Sequence, residues 1–288
     1  IVTKKGCNAG ECGTCSVLIN GVLKKSCMIP VIKANHCEIL TIEGIGTDGL
    51  SIIQRCFIKA GAVQCGYCTP GMIMSAKALL DVNKEPTDEE IKYALRNNYC
   101  RCTGYVKIID AVRIAAKVMQ EGTLPEEINN DWHIGSRVAR IDVGEKVLGT
   151  GKYPDDFYLD GMLYGSALRS KYPRARVLSI DKTMALALPG VEAVVTAEDI
   201  PGENKIGHLK HDQYTLIPVG GLTHYLGDAI AVVAARDKET ADKAAKLIQV
   251  EYEVLPHIHT IEEAAKPDAP KVFDEEENNI CAYKHISR

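Results

Sequence analysis

"GCNAGECGTC", residues 6–15, places three cysteines within ten positions, spaced C-x4-C-x2-C, with a glycine before the first and after the second. A fourth, Cys27, follows a short way on. A gap of four residues lets a loop wrap an object broader than a single ion. Gly6, Gly10 and Gly13 admit dihedrals closed to other residues and let backbone N–H groups approach the sulfurs.

Cys7, Cys12, Cys15 and Cys27 have the spacing of plant-type 2Fe-2S sites, in which hydrogen bonds to sulfur help set the potential. Structural zinc is the competing reading. It normally uses two short chelating pairs around one tetrahedral ion, which a C-x4-C-x2-C triple fits poorly. A second group, Cys65-x2-Cys68 and Cys100-x-Cys102, is open on spacing alone between zinc and a cluster. Its 31 intervening residues exceed the usual zinc-ribbon gap, and C-x-C is a cramped chelate.

The 288 residues are 46% hydrophobic and 25% charged, a balance that supports two or three globular domains. Net charge is −4 with the signs mixed, which excludes a broad basic face for nucleic acid or a polybasic membrane patch. No apolar run reaches a membrane-spanning length, so no membrane partner is expected. Eight of the eleven cysteines fall in the two groups among long helix and strand patterns; thiols so clustered read as metal ligands in a reducing, cytoplasmic compartment.

Along the chain, residues 15–19 and 22–27 flank Asn20-Gly21, a dipeptide suited to a type I′ hairpin. Residues 38–43 alternate as a strand. "GIGTDG", 44–49, has dinucleotide glycine spacing but lacks the later acidic residue and second strand, and reads as a flexible joint. "GTGKY", 149–153, fails likewise as a phosphate loop.

Four helices follow between 50 and 120, marked by Ile53 and Phe57; Met72, Ile73, Ala76 and Leu80; Ile91 and Leu95; and Ile108, Val112 and Ala116. "TDEE" at 87–90 is a capping box, and Pro70 sits in a first turn. Residues 121–136 have no sustained period and read as a linker, with Trp132 pinning it to a domain surface. Beyond it, strands at 163–168 and 191–195, a helix at 182–188, the apolar run 229–235, a helix bearing Ala241, Ala244 and Ala245, and an alternating strand at 250–254 make a mixed α and β domain. His208, His211, His257 and His259 read as surface residues, and 274–277 as a solvated acidic loop.

"GCNAGECGTCSVLINGVLKKSC", "AVQCGYCTPGMIMSAKALL" and "YCRCTGYVKI" together resemble the iron–sulfur region of the molybdenum hydroxylases, the xanthine dehydrogenase and aldehyde oxidoreductase family. After the linker, "RVARIDVGEKVLGTGKYPDDFYLDGMLYGSALRSKYPRARV" and "LPGVEAVVTAEDIPG" are similar to the family's hammerhead domain. The resemblance implies an α+β multidomain chain: a partial β-grasp 2Fe-2S ferredoxin domain at 1–47, a four-helix 2Fe-2S bundle at 48–120, the linker, and at 137–288 a mixed α/β hammerhead domain with the start of the molybdopterin-binding region.

It implies that Cys7, Cys12, Cys15 and Cys27 hold one cluster and Cys65, Cys68, Cys100 and Cys102 a second, nearer the molybdopterin. Gln64 and Cys102 match positions that contact the pterin, although by residue type alone Gln64 reads as a buried amide serving a helix start. The expected function is electron transfer within an oxidoreductase that hydroxylates purines or aldehydes with water-derived oxygen. Electrons would pass to an external acceptor or flavoprotein, since the 16-residue linker is too short for a flavin domain. The alternative is a stand-alone 2Fe-2S carrier with a docking domain. A homodimer fits either reading. The chain reads as a fragment, inactive by itself, with β-grasp strands before residue 1 and the catalytic residues beyond Arg288; Cys37, Cys56 and Cys281 read as structural.

Overall fold

The computed structural model describes residues 3–46, 49–123, 133–136, 138–208 and 210–287. Its contacts divide into two compact units, Ile1–Phe157 and Tyr158–Arg288. Trp132, most of the expected linker and part of "GIGTDG" lie outside the described residues.

The first unit begins with the cysteine loop and then the hairpin, β1 (Ser16–Ile19) and β2 (Val22–Lys25), paired from Ser16↔Lys25 to Ile19↔Val22. Asn20 and Gly21 have φ of 50° and 76°, the two positive values a type I′ turn requires. The expected strand at 38–43 shrinks to β3 (Ile39–Leu40), paired with β1. A 3-10 turn, Ile42–Ile45, takes the chain away at once so that Ile42 can enter the core at 2% exposure.

Four helices follow: α1 (Ile52–Lys59), α2 (Thr69–Val82), α3 (Asp88–Leu95) and α4 (Tyr105–Glu121). Thr87 and Glu90 form the expected capping box on α3. A second box, Ser51 with Gln54, starts α1; its signal, Ser three residues before Gln, passes unread in the sequence. Gln54 is fully buried and also donates its amide to the Val147 carbonyl at 3.0 Å. Phe57, Met72, Ile73, Leu80, Ile91, Ile108 and Val112 meet in one core. Full burial of each such side chain contributes about 1.5–3 kcal/mol.

A fifth, short helix, α5 (Val143–Leu148), also belongs to this unit and contributes Val147 to its core. The contacts divide at Phe157 because α5 and the turn at Pro154–Asp156 pack on the first unit.

In the second unit every pairing between named strands is antiparallel, the shortest joining β7 (Lys205–Ile206) to β8 (Gln213–Tyr214). The apolar run is β9 (Ala229–Ala235), the centre of a sheet between β4 (Tyr164–Arg169) and β6 (Val191–Val195). The helix α6 (Thr183–Leu186) is shorter than expected. The helix after β9, α7 (Lys238–Leu247), buries Ala241, Ala244 and Ala245. The strand after it, β10 (Gln249–Val254), pairs with β5 (Ala175–Asp181) instead of joining β9, so the strand, helix, strand order crosses between sheets. The acidic loop is partly ion-paired, with Asp274 2.8 Å from Arg174 and Glu276 2.8 Å from Lys210. Among the described residues no helix is long and apolar enough to cross a membrane.

Candidate metal centres

The loop at 6–15 is shaped by its glycines. Gly13 has φ 69°, and a Cβ there would lie 2.2 Å from the Asn97 carbonyl oxygen, so only glycine fits. The curl turns backbone N–H groups inward: Ala9, Glu11 and Cys12 each donate to the Cys7 sulfur at 3.4 Å, and Cys7 N–H donates to the Cys12 sulfur at 3.4 Å. These donors, Cys12 first, bring the Cys7 thiol down to about 6, the thiolate form that metals take. Lys25 on β2 fixes the loop from outside, donating to the Gly10 carbonyl at 2.6 Å and that of Glu11 at 3.1 Å.

Cys15 is 6% exposed, Cys27 is half-buried, and burial raises the Cys27 thiol. The Cys7 thiol is shifted by its neighbour Cys12, and the Cys27 thiol by its neighbours Cys15 and Cys7. A cavity of about 270 Å³ opens here, lined by Cys12, Cys15, Cys27 and the backbone of Gly6.

The second group is assembled from two loops. Cys65 and Cys68 precede α2, with Cys68 at its N-cap; Cys100 and Cys102 occupy the bend between α3 and α4, where Thr103 adopts φ 59°. Cys100 N–H donates to the Tyr105 hydroxyl at 2.8 Å, which holds that bend closed. Here too the thiols act on one another, Cys65 feeling Cys102 and Cys100, and Cys68 feeling Cys100 and Cys65. Burial, then the neighbouring Cys100, pushes the Cys68 thiol far up; the N–H and thiol of Cys65 pull that of Cys102 down.

The donor chemistry fits clusters better than single ions. Each set offers four neighbouring thiols, the donor number a 2Fe-2S cluster would take, and sulfur-directed N–H groups suit a delocalised negative charge. Among the described residues, no three His, Cys, Asp or Glu converge on a single-ion site. The Nε2 atoms of His257 and His259 meet at 2.9 Å, His259 N–H donates to the Glu263 carboxylate at 2.9 Å, and His211 faces Glu203 at 3.6 Å. Outside the two sets, Cys56 is fully buried, Cys37 is half-buried and Cys281 is exposed, so the structural reading of Cys281 fails.

Gln64, next to Cys65, is exposed, which removes the buried-amide reading. Its carbonyl accepts from the Arg140 guanidinium, which is itself paired with Asp142. Its side-chain oxygen lies beside Gly104, where a Cβ would stand 3.1 Å away. Cys102 is half-buried.

Residues 41–113 match the 2Fe-2S binding domain family, and residues 148–256 match the α/β hammerhead domain of aldehyde oxidase and xanthine dehydrogenase. The aldehyde oxidoreductase of Megalodesulfovibrio gigas is 36% identical over 93% of this chain and 32% of its own length. The nicotinate dehydrogenase small FeS subunit of Eubacterium barkeri is 56% identical over 40% of this chain and 73% of its own. Among solved structures, the aldehyde oxidoreductase from Desulfovibrio gigas superposes with a TM-score of 0.83 at 33% identity, over 95% of this chain and 32% of the other. The chain thus spans about a third of the aldehyde oxidoreductase that it matches nearly throughout.

Proposed function

The chain belongs to the aldehyde oxidase and xanthine dehydrogenase family of molybdenum hydroxylases, and on that premise we propose that it conveys electrons through two 2Fe-2S clusters out of a molybdopterin-dependent hydroxylase. The clusters, when bound, accept one electron each and so divide the pair released by a two-electron oxidation. Cys7, Cys12, Cys15 and Cys27 are the proposed ligands of one, and Cys65, Cys68, Cys100 and Cys102 of the other. The observation that carries the reading is the gathering of eight thiols into two sets of four, with N–H groups directed at the Cys7 sulfur.

This chain's residues supply a fixed cage. The loop N–H groups stabilise negative charge on sulfur, and the buried Cys15 and Cys100 keep water from one side of each set. Gln64 and Cys102 are the proposed pterin contacts, and the exposure of Gln64 leaves its amide free for one. The domain limits 1–47, 48–120 and 137–288 become, in this proposal, a ferredoxin-like part and a helical part within the first unit and a hammerhead part centred on the second. For the whole protein we propose an aldehyde as substrate ahead of a purine, because an aldehyde oxidoreductase is 36% identical over 93% of this chain, against 30% over 92% for a probable hypoxanthine oxidase of Escherichia coli. An external acceptor takes the electrons.

Purified chain should hold about four iron atoms and show two distinct paramagnetic signals after dithionite. Cys15→Ser should remove or alter one signal and Cys100→Ser the other. Zinc without iron would overturn the proposal. Turnover of benzaldehyde against hypoxanthine by the full-length protein decides the substrate class.

A further inference from the structure

"GTGKY" binds no phosphate by its pattern, but the structure gives its last residue a use. The Tyr153 hydroxyl donates to the Cys65 carbonyl at 2.9 Å, and its ring meets that of Tyr67 edge-on at 5.0 Å. Over the Tyr153 ring, 3.8 Å from its centroid, lies the ammonium of Lys146 on α5. This lysine is 7% exposed. Its Nζ donates to the Lys152 carbonyl at 3.3 Å, and among the described residues no ion pair is found for it.

Its stem is held against the second cysteine loop. A Cβ on Gly66, between Cys65 and Cys68, would lie 2.8 Å from the Lys146 Cβ, Cγ and Cδ, and one on Gly151 would lie 2.7 Å from Cδ. Gly66 has φ 84°, so glycine is needed there twice over. The cation is thus placed by packing. Its charge is held by an aromatic face and a carbonyl, and the carboxylate that feels it, Asp142, is ion-paired with Arg140.

We infer that Lys146 sets the reduction potential of the cluster proposed for Cys65, Cys68, Cys100 and Cys102, raising it by a buried positive charge. The inference rests on the cluster assignment above. Adding one electron to a cluster, from iron(III) to iron(II) with no bond made or broken, increases its negative charge. A fixed cation nearby favours that state, and burial limits the screening that water and salt would give. The lysines at the first set are held differently. Lys25 is only half-buried and donates to the Gly10 and Glu11 carbonyls at 2.6 and 3.1 Å, and Lys4, 5.0 Å from the Tyr153 ring centroid, lies 3.9 Å from the Asp156 carboxylate, which offsets its charge. Tyr153 acts as a positioning residue, holding Lys146 over its ring and the Cys65 carbonyl on its hydroxyl.

The test is an anaerobic dithionite titration of the iron-loaded chain with both paramagnetic signals followed, Cys102→Ser identifying the second cluster's signal. Lys146→Met keeps the stem and removes the charge. It should lower that signal's reduction constant about tenfold, 59 mV for one electron, and move the other signal less than a third as far. Lys146→Arg should restore the wild-type value. Unchanged potentials in Lys146→Met, or equal shifts in both signals, overturn the inference. If Lys146→Met does not load the second cluster, Lys146→Gln is titrated in its place; failure of both to load makes the residue a structural one and also overturns it. Wild-type chain lacking iron, or showing one signal, overturns the cluster assignment instead, so the two failures are distinguishable.

Discussion

Asn98 donates its side-chain amide to the Gly13 carbonyl at 3.0 Å, joining positions 85 residues apart. The same amide accepts from the Ser75 hydroxyl at 2.6 Å, and Tyr99 N–H donates to the Cys12 carbonyl at 3.0 Å. Asn98 is 3% exposed and Ser75 is 1% exposed. One buried side chain therefore ties the first cysteine loop to α2 and to the bend that carries Cys100. Asn98→Ala strands the Ser75 hydroxyl and should lower unfolding stability by about 1–3 kcal/mol, read as a shifted urea midpoint at constant slope. Asn98→Asp should be worse, because a carboxylate would face the Gly13 oxygen with no proton to offer it. An Asn98→Ala midpoint equal to wild type would remove the tie.

Two glycines with similar backbones should respond differently. Gly13 and Gly21 have φ of 69° and 76°, but a Cβ on Gly21 meets nothing within 4 Å, whereas one on Gly13 meets backbone at 2.2 Å. Gly21→Ala should cost only the left-handed strain, roughly 1–2 kcal/mol. Gly13→Ala must also push the loop away from Asn97, and should abolish iron binding at the first set while Gly21→Ala keeps it. Equal iron content in the two variants would contradict this.

Much of the first unit was legible because its signals are local. Asn20-Gly21 specifies a turn, Thr87 with Glu90 a helix start, and the apolar period of 72–80 a buried face. The eight ligand candidates could be grouped by spacing, but not paired, since pairing depends on how the bend at Cys100 meets the loop at Cys65. The helix α5 was missed because six residues make too short a period, and because a buried lysine reads as surface. In the second unit the strands were visible and their partners were not. Val250 and Tyr252 alternate whichever sheet they join, and only the fold sends them to β5.

Cys56 and Cys281 should separate by reactivity. Burial pushes the Cys56 thiol up to about 11, while Cys281 is exposed. The raised value means that folding favours the protonated form, a contribution present below the ordinary value of 9.0 and lost as pH rises through about 11. At pH 8 iodoacetamide should therefore label Cys281 and leave Cys56 untouched, as read by peptide mass spectrometry; labelling of both at equal rates in folded chain would show that α1 opens.

Asp199 gives the second unit a pH dependence of opposite sign. Its carboxylate accepts from Thr196 N–H at 2.8 Å, the Thr196 hydroxyl at 2.9 Å and the Lys182 ammonium at 3.0 Å. These hold it down to about 2, Thr196 N–H contributing most, against an ordinary value of 3.8. Since the folded state binds the proton less readily, the stabilisation is complete above the ordinary value and disappears as pH falls from about 4 to about 2. Asp199→Ala should therefore be less stable than wild type at pH 6, with the difference shrinking through that window. The Lys182 share should also weaken in 1 M salt, where the screening length falls to about 3 Å, while the Thr196 share persists. Denaturant titrations of both proteins at pH 6, 4 and 2 measure it, and a gap of constant size across the three would refute the assignment.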